Sequence, residues 1–183
     1  MKVFGFAGWS GAGKTTLIEQ LIPRFVSRGL VVSLVKHAHH AFDVDRPGKD
    51  SYRHREADAR EVLLASDRRW ALMHELRGAP EPTLEDLLQR LSPCDLVLVE
   101  GYKRSRLPKL EIHRPALGKP LLHPDDPSII AIASDASLDA ASGADAALPR
   151  LSLDDIDGIA NFVLTHLNLL EDRAHEPRVA AGR

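Results

Sequence analysis

A three-layer α/β/α fold around a mostly parallel sheet, with an added antiparallel hairpin, is predicted for this 183-residue sequence by three observations. Short apolar runs bounded by turn residues recur at Lys2–Ala7 (KVFGFA), Leu30–Lys36 (LVVSLVK), Asp95–Glu100 (DLVLVE) and Ile129–Ser134 (IIAIAS). They lack the alternation of a half-solvated strand and so read as buried strands of the parallel type. Segments of helical periodicity alternate with strands, the signature of a doubly wound sheet whose ligands collect at the carboxyl ends of the strands. The first strand also runs into GWSGAGKT at Gly8–Thr15 and then into an apolar helix, the strand, glycine loop and helix order of a P-loop NTPase.

Taken in order, the first helix presents Leu17, Ile18, Leu21, Ile22 and Phe25 at helical spacing, with Gly29 placed as its C-terminal cap. Pro23 removes a backbone donor from that helix and predicts a kink or a loosened turn. Val62–Ala65 and Trp70–Leu76 flank Ser66 to Arg69 and read as an antiparallel hairpin on the edge of the sheet. Such an edge needs covering, either as plain sheet extension or by a second copy of the chain. Thr83–Leu91 and Asp154–Leu167 have helical spacing, the second opening on acidic residues suited to a helix N-terminus. Pro115–Pro127 is proline-rich and predicts a surface loop. Residues 1–168 are expected to form one nucleotide-binding domain and residues 169–183 a polar, disordered tail.

Composition narrows the class. Hydrophobic residues at 44% and charged residues at 27% fit a globular chain, and a net charge of -2 offers no electrostatic basis for nucleic acid or an anionic membrane as partner. Cys94 is the single cysteine, so no intramolecular disulfide can form. With no apolar stretch long enough for a signal peptide or a span, the expected location is cytoplasmic.

The chemistry concentrates in the glycine loop. Gly8, Trp9, Ser10, Gly11, Ala12, Gly13, Lys14, Thr15 and Thr16 should bind a magnesium–nucleoside triphosphate. The glycines let backbone N–H groups turn onto the phosphates, Lys14 reaches the β and γ phosphates, and Thr15 offers its hydroxyl to Mg2+. Glu100 ends the strand DLVLVE beside Gly101, where a second acidic motif would set a carboxylate near the metal; direct ligation, contact through water, and a plain solvated carboxylate are all open. The segment Lys36–Arg60 is dense in charge. It offers Asp43, Asp45 or Asp50 as a further metal-associated carboxylate, with Asp45 the chosen one, or an anion-binding patch. His37, His39 and His40 there read as surface groups or as a transition-metal site. Lys103, Arg104, Arg106 and Lys109 form a second basic cluster, open between phosphate binding and a solvated loop.

Together with the glycine loop, the runs FDVDRPGKDSYRHREADA at Phe42–Ala59, LVLVEGYK ending at Lys103 and PKLEI at Pro108–Ile112 resemble the molybdopterin-guanine dinucleotide biosynthesis protein B family. The resemblance implies a cytoplasmic, homodimeric GTP-binding protein with weak GTPase activity, more adapter than enzyme. It would assist attachment of GMP to molybdopterin beside a molybdopterin nucleotidyltransferase, and molybdopterin itself is a candidate ligand. Related P-loop proteins include nickel-insertion GTPases and the nitrogenase iron protein, several of which carry a second loop lysine that reaches across a dimer. Trp9 stands in its place here, no arginine finger is evident, and slow hydrolysis involving Lys14 and Glu100 is what the resemblance implies. Guanine recognition has no NKxD element to rest on, since Asn161 and Asn168 are the only asparagines and neither precedes a lysine. Asp135, after the strand IIAIAS, is the candidate acceptor for guanine donors. Competing readings are a metal-chaperone GTPase, prompted by the histidines, and a small-molecule kinase using the same loop.

Overall fold

The structure is a computed structural model that describes residues 1–38, 42–137 and 148–170. It divides into two compact units, residues 38–87 and the remainder. The larger unit is built on a six-stranded sheet in the order β2-β5-β1-β6-β7-β8, with every pairing parallel. Its strands are β1 (Lys2–Ala7), β2 (Val32–Lys36), β5 (Leu96–Glu100), β6 (Lys109–His113), β7 (Ile129–Ser134) and β8 (Arg150–Ser152). The predicted strands at residues 2, 95 and 129 are central. The second sits at an edge instead, with one neighbour, and accordingly leaves Leu34 exposed.

One face of the sheet is covered by α1 (Lys14–Ser27) and α4 (Ile156–His166), which pack on each other. Phe4, Phe6, Leu96, Leu98, Leu110, Ile112, Ala131 and Ala133 alternate along the strands and meet Leu17, Leu21 and Phe25 of α1 and Ile159, Val163 and Leu164 of α4 in a single cluster. Each large side chain fully buried there contributes about 1.5–3 kcal/mol of transfer free energy. The helix α1 runs through Pro23, which lies on its exposed side where the missing N–H costs least to the packing. It ends as predicted: Gly29 takes φ of +82°, its N–H donates to the Val26 carbonyl, and that of Leu30 to Phe25.

The opposite face is polar along β6. Lys109, Glu111 and His113 alternate with Leu110 and Ile112 and are nevertheless buried. Lys109 donates to the Lys103 carbonyl at 2.8 Å and to Asp126 at 2.5 Å, while Glu111 accepts from the backbone N–H groups of Leu122 and His123. The charge alternation in KLEIH hid this strand from a reading based on apolar runs. It also removes Lys109 from the expected surface cluster of basic residues, because its ammonium is consumed inside the protein.

In the smaller unit β3 (Glu61–Ala65) and β4 (Trp70–His74) form the expected antiparallel hairpin. Among the described residues it is a separate two-stranded sheet rather than an extension of the large one, each strand pairing with the other. An unpredicted helix, α2 (Asp50–Glu56), precedes it. Leu84–Leu88 forms α3, shorter than expected, and Thr83 and Asp86 close its N-terminus reciprocally. Pro115–Pro127 is a loop carrying two short 3-10 turns. The tail expected to be disordered lies, from residue 171 on, outside the described residues. No helix among the described residues is long and apolar enough to cross a membrane.

Candidate functional site

The glycine loop joins the carboxyl end of β1 to the first turn of α1. Gly8, Gly11 and Gly13 all have positive φ, at +149°, +82° and +96°. A Cβ on Gly8 would lie 2.6 Å from the Ile112 carbonyl oxygen, so the loop hugs the end of β6 in a way that only glycine permits. Ala12 is buried in the core cluster and anchors the loop from below. Lys14 folds back over the loop, its ammonium donating at 3.0 Å to each of the Gly8 and Trp9 carbonyls. Burial pushes its pKa below the ordinary lysine range; Glu100 opposes that push, and Lys103 and Lys36 add to it.

The hydroxyl of Thr15 donates to Glu100 at 2.8 Å. β1 and β5 are hydrogen-bonded neighbours, which brings the two side chains together at the strand ends. Lys36, at the end of β2, lies 3.2 Å from the Thr15 hydroxyl and 3.3 Å from the other Glu100 oxygen. Glu100 is buried, so this cluster is a carboxylate and a hydroxyl already facing a positive charge. Two oxygen donors of this kind fit a hard divalent cation. Gly101 (φ +94°) lets the chain turn away under His37, whose ring lies 5.0 Å from that of Tyr102.

At the far side of the loop stands Arg114, a residue to which no motif draws attention. Its Nε donates to the Ala12 carbonyl at 3.0 Å, its terminal nitrogen approaches the Cβ position of Gly13, and another terminal nitrogen pairs with Asp135 at 2.6 Å. It stands just beyond β6, at the carboxyl end of a central strand, a place the sequence does not mark because β6 itself is not legible there. Asp135 lines a cavity of about 470 Å³ with Ser134, Ser137, Arg150 and Ser152 at the ends of β7 and β8. Trp9 is tied by its indole N–H to the Pro120 carbonyl at 2.7 Å, and the ammonium groups of Lys103 and Lys119 lie 4.8 and 5.8 Å from its ring centre.

The sheet thus brings Lys14, Thr15, Glu100 and Asp135 to one end, joined by the loop and by Arg114. Asp45 belongs to the smaller unit. There its carboxylate accepts from the hydroxyl of Ser51 at 2.8 Å and from the backbone N–H of Arg46, and pairs with Arg55 at 3.4 Å. Arg55 also holds Asp43 and Glu75, and its hydrogen bonds keep the Asp43 carboxyl below the usual range. Asp50 is exposed in the first turn of α2, 3.9 Å from Arg53. His39 and His40 lie outside the described residues, and no group of three or more metal-ligating side chains occurs among those described.

The model of the family described as molybdopterin guanine dinucleotide synthesis protein B matches residues 3–135. This chain belongs to that family. The matched span of this MobB-family chain includes the glycine loop, Glu100, Arg114 and Asp135. It is 44% identical over 165 residues to the molybdopterin-guanine dinucleotide biosynthesis adapter protein of Escherichia coli, covering 88% of this chain and 91% of that one. The protein of the same description from Haemophilus influenzae is 44% identical over 140 residues, 75% of this chain and 76% of its own. Among solved structures, a MobB protein homolog from Bacillus stearothermophilus superposes with a TM-score of 0.68 at 26% identity, over 92% of this chain and 99% of that one. The MobB fold accounts for the parallel sheet and the helices upon it.

Proposed function

We propose that this chain is a GTP-binding adapter in molybdopterin guanine dinucleotide biosynthesis, a cytoplasmic homodimer with weak GTPase activity. In this reading it assists attachment of GMP to molybdopterin beside the nucleotidyltransferase. The observation that carries this reading is the convergence of a phosphate-shaped loop, the Thr15–Glu100 pair and a cavity bounded by Asp135 at the carboxyl ends of neighbouring strands. Relatives described as adapter proteins of the same biosynthesis support it.

The backbone N–H groups of the loop and the N-terminus of α1 receive the phosphates, and Lys14 exchanges its two carbonyl partners for β and γ oxygens. Thr15 and Glu100 would hold a magnesium ion, whose chemistry is charge neutralisation across those oxygens. We leave Asp45 out of that set and assign it to anchoring α2 through Ser51 and Arg55. In this reading Glu100, held by Thr15 and Lys36, supplies negative charge beside the metal and the attacking water, and turnover is slow because Trp9 stands where related loops carry a second lysine. Asp135 takes the donors of the guanine edge.

The test is calorimetry with magnesium-GTP and magnesium-ATP, followed by an assay of GMP transfer to molybdopterin by the purified nucleotidyltransferase with and without this chain. GTP should bind more tightly than ATP, and the chain should raise the yield or rate of transfer. Absence of nucleotide binding, or transfer indifferent to the chain, sinks the reading.

A further inference from the structure

A base-reading group and a phosphate loop lie on different strand ends, and a protein that selects its nucleotide must hold them at a fixed spacing. In this chain one side chain spans the two. Arg114 leaves the end of β6, which lies between β1 and β7 in the sheet, so its guanidinium starts midway between the loop after β1 and the turn after β7. One edge of the guanidinium grips the loop through the Ala12 carbonyl at 3.0 Å and packs on Gly13; the other grips Asp135 at 2.6 Å. A planar fork with several fixed N–H directions can serve two acceptors at once, which a lysine ammonium on a flexible stem does less rigidly.

The contacts are specific on each side. Ala12 is buried, so its carbonyl reports the position of the loop and not of a mobile tip. Asp135 borders the cavity at the ends of β7 and β8, and the oxygen that Arg114 holds is Oδ2. The contact engages Oδ2 and does not involve the second carboxylate oxygen.

We propose that Arg114 is a specificity-positioning residue that couples base selection by Asp135 to the phosphate loop at Ala12–Gly13. This rests on the nucleotide-binding reading above and adds to it which residue makes recognition of the two ends of the ligand interdependent. Arg114 touches neither the base nor the reacting phosphate in this role; it sets the distance between the groups that do.

The experiment is calorimetry of the full chain with magnesium-GTP and magnesium-ATP for the parent, Arg114→Ala, Arg114→Lys, Asp135→Ala and the Arg114→Ala/Asp135→Ala pair, with folding checked by circular dichroism. Arg114→Ala should lower GTP affinity by about 10-fold or more and ATP affinity much less, because the lost element is a charge-assisted contact that serves base selection. Arg114→Lys keeps the positive charge but cannot serve both acceptors, and should lose selectivity while retaining most ATP affinity. The double variant should be no less selective than Asp135→Ala alone, since both changes break one unit. Equal losses for both nucleotides, unchanged selectivity in Arg114→Lys, or additive losses in the pair overturn the coupling. If Arg114→Ala fails to fold, Arg114→Lys decides. A parent that binds neither nucleotide removes the underlying reading and the coupling with it. A parent that prefers GTP, with Arg114 variants that prefer it equally, removes the coupling alone.

Discussion

Lys14 has hydrogen-bond partners of its own before any phosphate reaches it, and Glu100 holds Thr15 and Lys36. The two residues therefore predict different defects. Lys14→Ala deletes a charge-assisted contact, and triphosphate affinity should fall by roughly 10- to 150-fold, the equivalent of about 1.5–3 kcal/mol. Glu100→Gln still accepts from Thr15 but presents an amide to Lys36 and removes negative charge from the cluster; binding should survive while single-turnover hydrolysis drops. Titration and single-turnover assays at saturating magnesium separate the two outcomes, and hydrolysis at the parent rate in Glu100→Gln would make that carboxylate a bystander. The glycine loop and Glu100 were legible in the sequence because their signals are local: glycines at fixed spacing, and an acid closing an apolar run. Arg114 was not. Its partner Ala12 lies 102 positions away, and nothing in either neighbourhood marks the pairing.

The helices show the same division. α4 is capped by Asp155, whose side chain accepts from the N–H of Gly158 at 2.8 Å, and this cap was foreshadowed by the acidic opening of the segment. A Cβ on Gly158 would fall 2.2 Å from Asp155 Oδ2. Replacing a helical glycine by alanine ordinarily gains about 1 kcal/mol, but here Gly158→Ala displaces a cap worth a similar amount, so the single substitution should leave stability nearly unchanged. In an Asp155→Ala background the gain should reappear. Chemical denaturation of the four variants measures this, and a full gain in the parent background would show that the cap tolerates the methyl. The sheet strands flanked by turns were readable, whereas β6 was not, because its charged residues face an internal polar layer that periodicity treats as solvent. The hairpin was readable as a hairpin from its apolar runs and central turn. Its separation from the large sheet depends on which edges pair, and that is a property of neither strand alone.

At the scale of the molecule, two features are open to measurement. On one face of the hairpin Leu63 stands opposite Leu72 and Ala65 opposite Trp70, with Leu63, Trp70 and Leu72 exposed by 62%, 65% and 44%. A patch of this kind on a small sheet is unfavourable in water, and a second copy would cover it. Leu63→Glu and Trp70→Glu should shift sedimentation from dimer to monomer; a parent that is already monomeric discards the proposed dimer. The second feature is acid sensitivity. Burial pushes the imidazole of His113 below its ordinary pKa, with Asp135 opposing. The folded state therefore takes up this proton at lower pH than the unfolded chain, which does so near about 6.5. Stability from this group is complete above that value and is lost as pH falls through it, so the free energy of unfolding should decline from pH 7 toward 5, and His113→Gln should flatten that slope. Asp126 gives a further loss at lower pH: burial would raise its pKa, but hydrogen bonds from Lys109 and Ser128 prevail and lower it. Glu111 acts in the opposite sense, since burial holds its pKa up and protonation relieves a cost. The polar row on β6 has one more consequence, for errors in assembly. Neighbouring residues of a strand point to opposite faces, so a shift of β6 by one position between β1 and β7 would carry an ammonium, a carboxylate and an imidazole into the layer of Phe4 and Phe6. An all-apolar strand could slide and still find greasy neighbours, whereas this one is penalised by buried, unpartnered polar groups at every odd step.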